Sequence, residues 1–199
     1  MLVTIGTGIV NCIIADGRIQ LGAHGFAGEL GHHVVDPAGV LCSCGNRGCW
    51  ETVASATGLA RLAVAAVQRS GRGALSSIIA DDPAALRGEH VTKAARDGDE
   101  VALAVIDEFV GWVALGLANC VAILDPSLIL VGGGLVAEQA LLLDPNRSRV
   151  DELIIASGHR PRVRNEKAGL GERAGALGAA VLGRDAAGAT HAEPRGALR

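Results

Sequence analysis

Between positions 31 and 51 the chain reads Gly-His, nine residues, then Cys-x-Cys-Gly-x2-Gly-Cys-x-Glu. His32, Cys42, Cys44 and Cys49 place one imidazole and three thiols in one short stretch, a donor set that suits tetrahedral zinc. Glycines at 39, 45 and 48 let the backbone reverse so that all four can face one centre. The Cys-x-Cys and the remote His depart from zinc-finger spacing, so the set reads as a clip on a larger fold. Protein fills all four positions and leaves none for water, which makes the expected zinc structural. His33 is a rival to His32, and spacing does not separate them.

The alternative is a set of buried thiols or a redox pair. Met1-Leu2-Val3-Thr4 opens without a basic segment, the opposite of a secretory leader. A reducing, cytoplasmic setting is therefore expected, where clustered cysteines mean metal or catalysis rather than disulfides. Cys12 and Cys120 sit in apolar runs and read as core residues.

At 199 residues the chain can bury one ordinary core. Its net charge is -3, and Lys occurs only at 93 and 167, so no basic stripe invites nucleic acid. Tyr is absent and aromatics are 2%, which leaves no platform for stacking bases. The apolar run from Phe109 to Leu124 falls short of the ~20 residues of a membrane span and reads as a buried helix.

Mostly apolar runs punctuated by turn residues predict strands over Met1–Gly6, Ile9–Ala15 and Ile19–Leu21, joined as an antiparallel meander through Gly6-Thr7-Gly8 and Asp16-Gly17. A glycine-rich loop spans 22–48. Helical spacing at Val53, Leu59, Leu62, Ala63, Ala66 and Val67 is broken near Thr57-Gly58. Asp81-Asp82-Pro83 and Asp97-Gly98-Asp99 read as helix starts. Glu100–Leu124 reads as one long helix, amphipathic at first and apolar nearly all round later, so its carboxyl half should lie deeper. Leu128–Val131 reads as a buried strand ending in Gly132-Gly133-Gly134, Arg162–Asn165 as a weak strand, and Glu172–Leu182 as a small-residue helix. Residues 184–199 lack periodicity and are expected to be a disordered tail. The class is α/β.

Gly6-Thr7-Gly8 lies between two strands, where backbone N–H groups and the Thr hydroxyl can meet a phosphate; an ordinary hairpin turn reads the same way. Gly132-Gly133-Gly134 follows a strand and precedes a helical stretch, a place where nucleotides dock, although no P-loop Gly-Lys-Ser/Thr follows. Glu29 and Glu51 bracket the metal loop. They suit the hydroxyls of a neutral polar ligand, or are plain surface residues. A zinc-bound imidazole keeps its second N–H for an acceptor, and a ligand oxygen can be that acceptor.

Gly28-Glu29-Leu30-Gly31-His32 and Cys42-Ser43-Cys44-Gly45-Asn46-Arg47-Gly48-Cys49-Trp50-Glu51 resemble the signature of the ROK family of sugar kinases and repressors. Thr4-Ile5-Gly6-Thr7-Gly8 resembles that family's second phosphate motif, and Val131-Gly132-Gly133-Gly134-Leu135 its adenosine motif. The similarity covers residues 1–183, with an actinobacterial glucokinase flavour. It implies an actin-like ATPase (ribonuclease H-like) fold, of which this chain is the carboxyl-terminal lobe. It also implies an ATP-dependent hexose kinase acting on glucose, with magnesium accompanying ATP. By the same resemblance Glu29, His32 and Glu51 would bind sugar hydroxyls, and His32, Cys42, Cys44 and Cys49 would hold zinc. Gly6, Thr7 and Gly8 would face the ATP phosphates, and Gly133 and Gly134 the adenosine. A homo-oligomer is expected.

Two departures stand out. Val10, Asn11 and Cys12 occupy positions where the family continues with glycines. The family's first phosphate motif and its catalytic Asp have no counterpart, so a truncated chain, weak or inactive alone and prone to self-association, is expected. The competing readings are the sugar-responsive effector domain of a ROK transcriptional repressor and a zinc-stabilised interaction module.

Overall fold

The computed structural model describes residues 1–134 and 138–190. Met1–Lys167 forms one compact unit and the chain from Ala168 onward a second. In the first unit a four-stranded sheet runs in the order β2-β1-β5-β6. Strand β1 (Leu2–Ile5) pairs antiparallel with β2 (Ile9–Cys12) and parallel with β5 (Leu128–Gly132), and β5 pairs parallel with β6 (Arg164–Lys167). Val3 and Ile5 on β1 and Ile129 and Val131 on β5 point into the core, as strand alternation requires.

The expected meander divides. β3 (Ile14–Ala15) and β4 (Arg18–Ile19) pair only with each other, as a separate two-stranded ribbon. Asp16 and Gly17 both have positive φ, 52° and 72°, the signature of a tight type I′ reversal. Such a turn closes a hairpin locally and gives β4 no register on the main sheet. The weak strand also lies slightly later than expected, at 164–167.

Helix α5 (Glu100–Leu124) runs as the periodicity predicts. Asp99 caps it by accepting from the Ala102 N–H at 2.8 Å, and Asp125 ends it in the left-handed conformation. Burial is densest from Val113 to Val121, and Phe109 and Leu117 are almost wholly enclosed. Each such side chain contributes about 1.5–3 kcal/mol by leaving water. By length and composition α5 would also pass for a membrane span. Here it is the central helix, packed by α1 (Glu51–Ala54), α2 (Ala56–Ser70), α4 (Gly88–Arg96) and α6 (Asp144–Leu153).

The break between α1 and α2 falls at Ser55, two residues before the predicted one. Ser55 is extended (φ -103°, ψ 173°), and its hydroxyl accepts from the Gly58 N–H at 3.1 Å, so a cap outweighs the loss of apolar spacing. Asp82 starts only a single turn at Pro83–Ala85, preceded by the short α3 (Ser76–Asp81). In the second unit α7 runs Ala174–Thr190, well into the stretch expected to be aperiodic. Alanines there favour helix without any apolar period. The remainder of the expected tail, 191–199, lies outside the described residues, as does Leu135.

Candidate functional site

Short antiparallel bridges, Val34 with Cys49 and Leu41 with Arg47, fold the loop after β4 onto itself. The Cys42 N–H donates to the Asn46 carbonyl at 2.8 Å, and the Trp50 N–H to that of His33 at 2.9 Å. Gly48 has φ 66° and passes so close to the Asp36 carbonyl that no side chain would fit. Gly31 lets the turn Leu30–His32 lie against β2, since a Cβ there would stand 2.6 Å from the Ile9 carbonyl.

This folding brings one donor atom each of His32, Cys42, Cys44 and Cys49 within 4.8 Å of one another. The Cys44 and Cys49 sulfurs are 3.5 Å apart, and Cys42 Sγ is 3.6 Å from His32 Nδ1. In a zinc tetrahedron with bonds of about 2.3 Å, ligand sulfurs stand roughly 3.8 Å apart, so the residues fit the ion. All the cysteines are free. The Asn46 backbone N–H holds the Cys44 thiol below its usual value, while burial, then the neighbouring sulfurs, push Cys49 up to about 12. A divalent cation relieves that conflict by stabilising all three thiolates together.

His32 Nδ1 faces the sulfurs, and its Nε2 faces Glu29 Oε2 at 3.9 Å on the other side. Its rival is engaged elsewhere. His33 Nδ1 bonds to the Leu30 carbonyl, which can only accept, so Nδ1 carries the proton and Nε2 accepts from the Asn119 amide at 3.3 Å. The His33 ring also leans on Trp50, centroids 5.4 Å apart. Trp50 is fully buried and donates to the Trp112 carbonyl at 2.8 Å, anchoring the end of the loop to α5. In the sequence, Asn119 is no more than a polar residue inside the apolar run 109–124.

The turn Gly6-Thr7-Gly8 is braced by the start of α2. The Ala56 N–H donates to the Gly6 carbonyl at 2.8 Å and the Thr57 hydroxyl to that of Thr7 at 3.0 Å. Gly6, Thr7 and Gly134 share one cleft of about 710 Å³ with Thr57, Arg61 and Arg87. Gly133, at φ 98°, lies hard against the Ile5 carbonyl and shapes the cleft without lining it. Gly8 faces away from the cleft, toward Glu51. Arg61 escaped the sequence reading. It stands one helical turn beyond Thr57, and its Nη1 donates to the Thr52 carbonyl at 2.6 Å.

Glu51 stands between these two assemblies. Its Oε1 accepts from the Cys42 thiol at 3.3 Å and lies 3.6 Å from His32 Nδ1, while its Oε2 accepts from the Ile9 N–H at 3.4 Å. Glu29, His32 and Glu51 thus gather beside the metal set, and the Gly-Thr-Gly turn separates them from the cleft.

A sequence profile described as the ROK family matches residues 1–186. The chain belongs to the ROK family. A glucokinase of Streptomyces coelicolor is 37% identical over 185 residues, covering 92% of this chain and 58% of that protein. A crystal structure of a ROK family glucokinase from Streptomyces griseus, in complex with glucose and AMPPNP, superposes with a TM-score of 0.81 at 36% identity, over 92% of this chain and 60% of that one. A ROK family transcriptional regulator, a homologue of the E. coli MLC protein, gives 0.70 at 30% identity, over 83% of this chain and 40% of the regulator. The α/β fold seen here is a portion of the actin-like ROK kinase fold, and the chain spans rather more than half the length of these glucokinases.

Proposed function

We propose that this chain carries the sugar-binding loop and the nucleotide cleft of a glucokinase-like, ATP-dependent hexose kinase. The reading rests on one observation: the Glu29–His32–Glu51 group and the glycine-lined cleft flank the same turn, residues 6–8. A sugar held on one side and a triphosphate on the other would meet there.

His32, Cys42, Cys44 and Cys49 would hold zinc, which supplies a cross-link and no open coordination position. The carboxylates of Glu29 and Glu51 accept from hexose hydroxyls, and the outward Nε2–H of His32 donates to a sugar oxygen. Backbone groups and the Thr7 hydroxyl face the ATP phosphates, which arrive with magnesium. Arg61 and Arg87 add positive charge along the cleft wall, and Gly134 allows close approach of the adenosine. Transfer to a sugar hydroxyl also needs a base to accept the proton. We assign that role to no residue of this chain, and Glu29 and Glu51 are taken up by binding. The protein acts in the cytoplasm as a homo-oligomer.

Glucose and a non-hydrolysable ATP analogue, titrated separately into the zinc-loaded chain and followed by tryptophan fluorescence and calorimetry, test the reading. Binding of both supports it. Likeness to the transcriptional regulator favours a second reading, an effector domain, and glucose binding without nucleotide binding would select that. Failure of both ligands would leave an interaction module.

A further inference from the structure

We propose that Glu51, beyond meeting the hexose itself, ties the phosphate turn to the hexose subsite through its second carboxylate oxygen, and that Gly8 is the position that makes room for it. The proposal rests on the kinase reading for the identity of the two ligands, and on geometry for the link itself. Glu51 is the first residue of α1, immediately after Trp50, and the buried indole fixes its backbone. Its two carboxylate oxygens are divided. Oε1 lies beside His32 Nδ1 and the Cys42 sulfur, at 3.6 and 3.3 Å, and Oε2 accepts from the Ile9 N–H at 3.4 Å. Ile9 is the first residue after the Gly6-Thr7-Gly8 turn, so this hydrogen bond pins the outgoing end of the turn while α2 pins its middle.

Gly8 is where the two elements press together. A Cβ at Gly8 would stand 2.8 Å from Glu51 Oε2, and nothing else there comes closer than Glu51 Cδ at 3.9 Å. Real Cβ atoms do not approach oxygen so closely, so a side chain at position 8 pushes Oε2, the end of a long side chain, aside by a few tenths of an ångström, which the 3.4 Å bond to the Ile9 N–H has no slack to absorb. That shift breaks the Ile9 bond and moves Oε1 from its place beside His32. The requirement for glycine at position 8 is therefore imposed by the metal-loop side of the turn, since Gly8 does not line the cleft. A carboxylate anchored through Oε2 to the Ile9 N–H presents Oε1 in one orientation, and holding a binding group in one orientation is what a precise site requires.

Two readouts test this on the zinc-loaded chain. The first is hydrogen exchange of the Ile9 amide, followed by ¹⁵N-resolved NMR. Glu51→Ala should speed it about tenfold, and Glu51→Gln, which keeps an acceptor oxygen, should restore most of the protection while the Val3 and Ile129 amides stay unchanged. Equal Ile9 exchange in Glu51→Ala and the parent chain overturns the link. The second is hexose affinity with no nucleotide present: Gly8→Ala should weaken it about tenfold although residue 8 belongs to the phosphate turn. Unchanged affinity in Gly8→Ala overturns the role of Gly8. A parent chain that binds no hexose sinks the kinase reading instead, and the Ile9 exchange result still decides whether Glu51 holds the turn.

Discussion

Gly116 lies directly beneath Trp50: a Cβ at position 116 would overlap the indole ring. The central helix has been thinned at one position so that the residue following the last cysteine of the metal set can sink fully into the core. Gly116→Ala should therefore act as overpacking and cost about 1–3 kcal/mol despite the better helix propensity of alanine. Urea unfolding followed by tryptophan emission measures it, and a stabilised variant would contradict the packing described.

Metal content is the second prediction. Elemental analysis of the purified chain should find about one zinc per chain, held by four protein ligands. Cys49→Ser should lose most of it, because Cys49 is the most deeply buried of the four residues that fit the ion. Glucose affinity should fall with the zinc, and a chain that binds hexose equally well after chelation would separate the loop from the sugar.

Asp99 gives a pH dependence whose sign follows from its partners. Its carboxylate accepts from the Ala74 N–H at 2.6 Å and the Ala102 N–H at 2.8 Å, and these bonds hold its pKa below the ordinary carboxylate value. A pKa lower in the folded than in the unfolded chain adds stability that is complete above the unfolded value near 4. That stability fades as pH falls through the lowered folded value. Asp99→Asn should flatten the loss of stability between about pH 5 and pH 3, measured as melting temperature against pH. An unchanged slope would count against it.

Asn11 carries an amide whose nitrogen and oxygen are both buried, with no hydrogen-bond partner among the described residues. It pairs across from Val3 on the sheet face that also carries buried Ile9. An unsatisfied buried polar group costs about 1–3 kcal/mol. Asn11→Val should therefore raise the thermal midpoint, and a lowered midpoint would show that the amide has a partner in solution.

Purified residues 1–199 should phosphorylate glucose poorly from ATP, since we assign none of the described residues to take the hydroxyl proton. A coupled assay of ADP release decides the matter. Turnover comparable to an ordinary kinase would mean that one of the binding carboxylates also serves as the base.

Much of this architecture can be read from the chain because it depends on local signals. α5 has an Asp cap, an apolar period in its first half and an apolar surface nearly all round in the rest, and the metal set announces itself by residue type. What the sequence hides depends on distant partners. Nothing near His33 says that Asn119, far along the chain, will occupy its ring nitrogen and leave His32 to face the thiols. Arg61 and Arg87 look like solvated surface until α2 and α4 are set along one cleft. The ribbon of β3 and β4 has strand-like residues, yet a turn with two positive φ values closes it on itself. α7 continues past the last apolar period because alanine needs none.

The bonds from Ala56 and Thr57 to the Gly-Thr-Gly turn have a consequence for how the chain tolerates changes in length. From Cys49 to Thr57, successive residues complete the set that fits a metal, fill the core, hold the Ile9 N–H, break the helix and brace the turn. One inserted residue would rotate everything after it by about 100° on a helix of 3.6 residues per turn, so the members before and after it could not all keep their partners. Deletions there should be equally ruinous, whereas the tip at Asp16-Gly17, which touches none of these groups, is the place to splice in a tag.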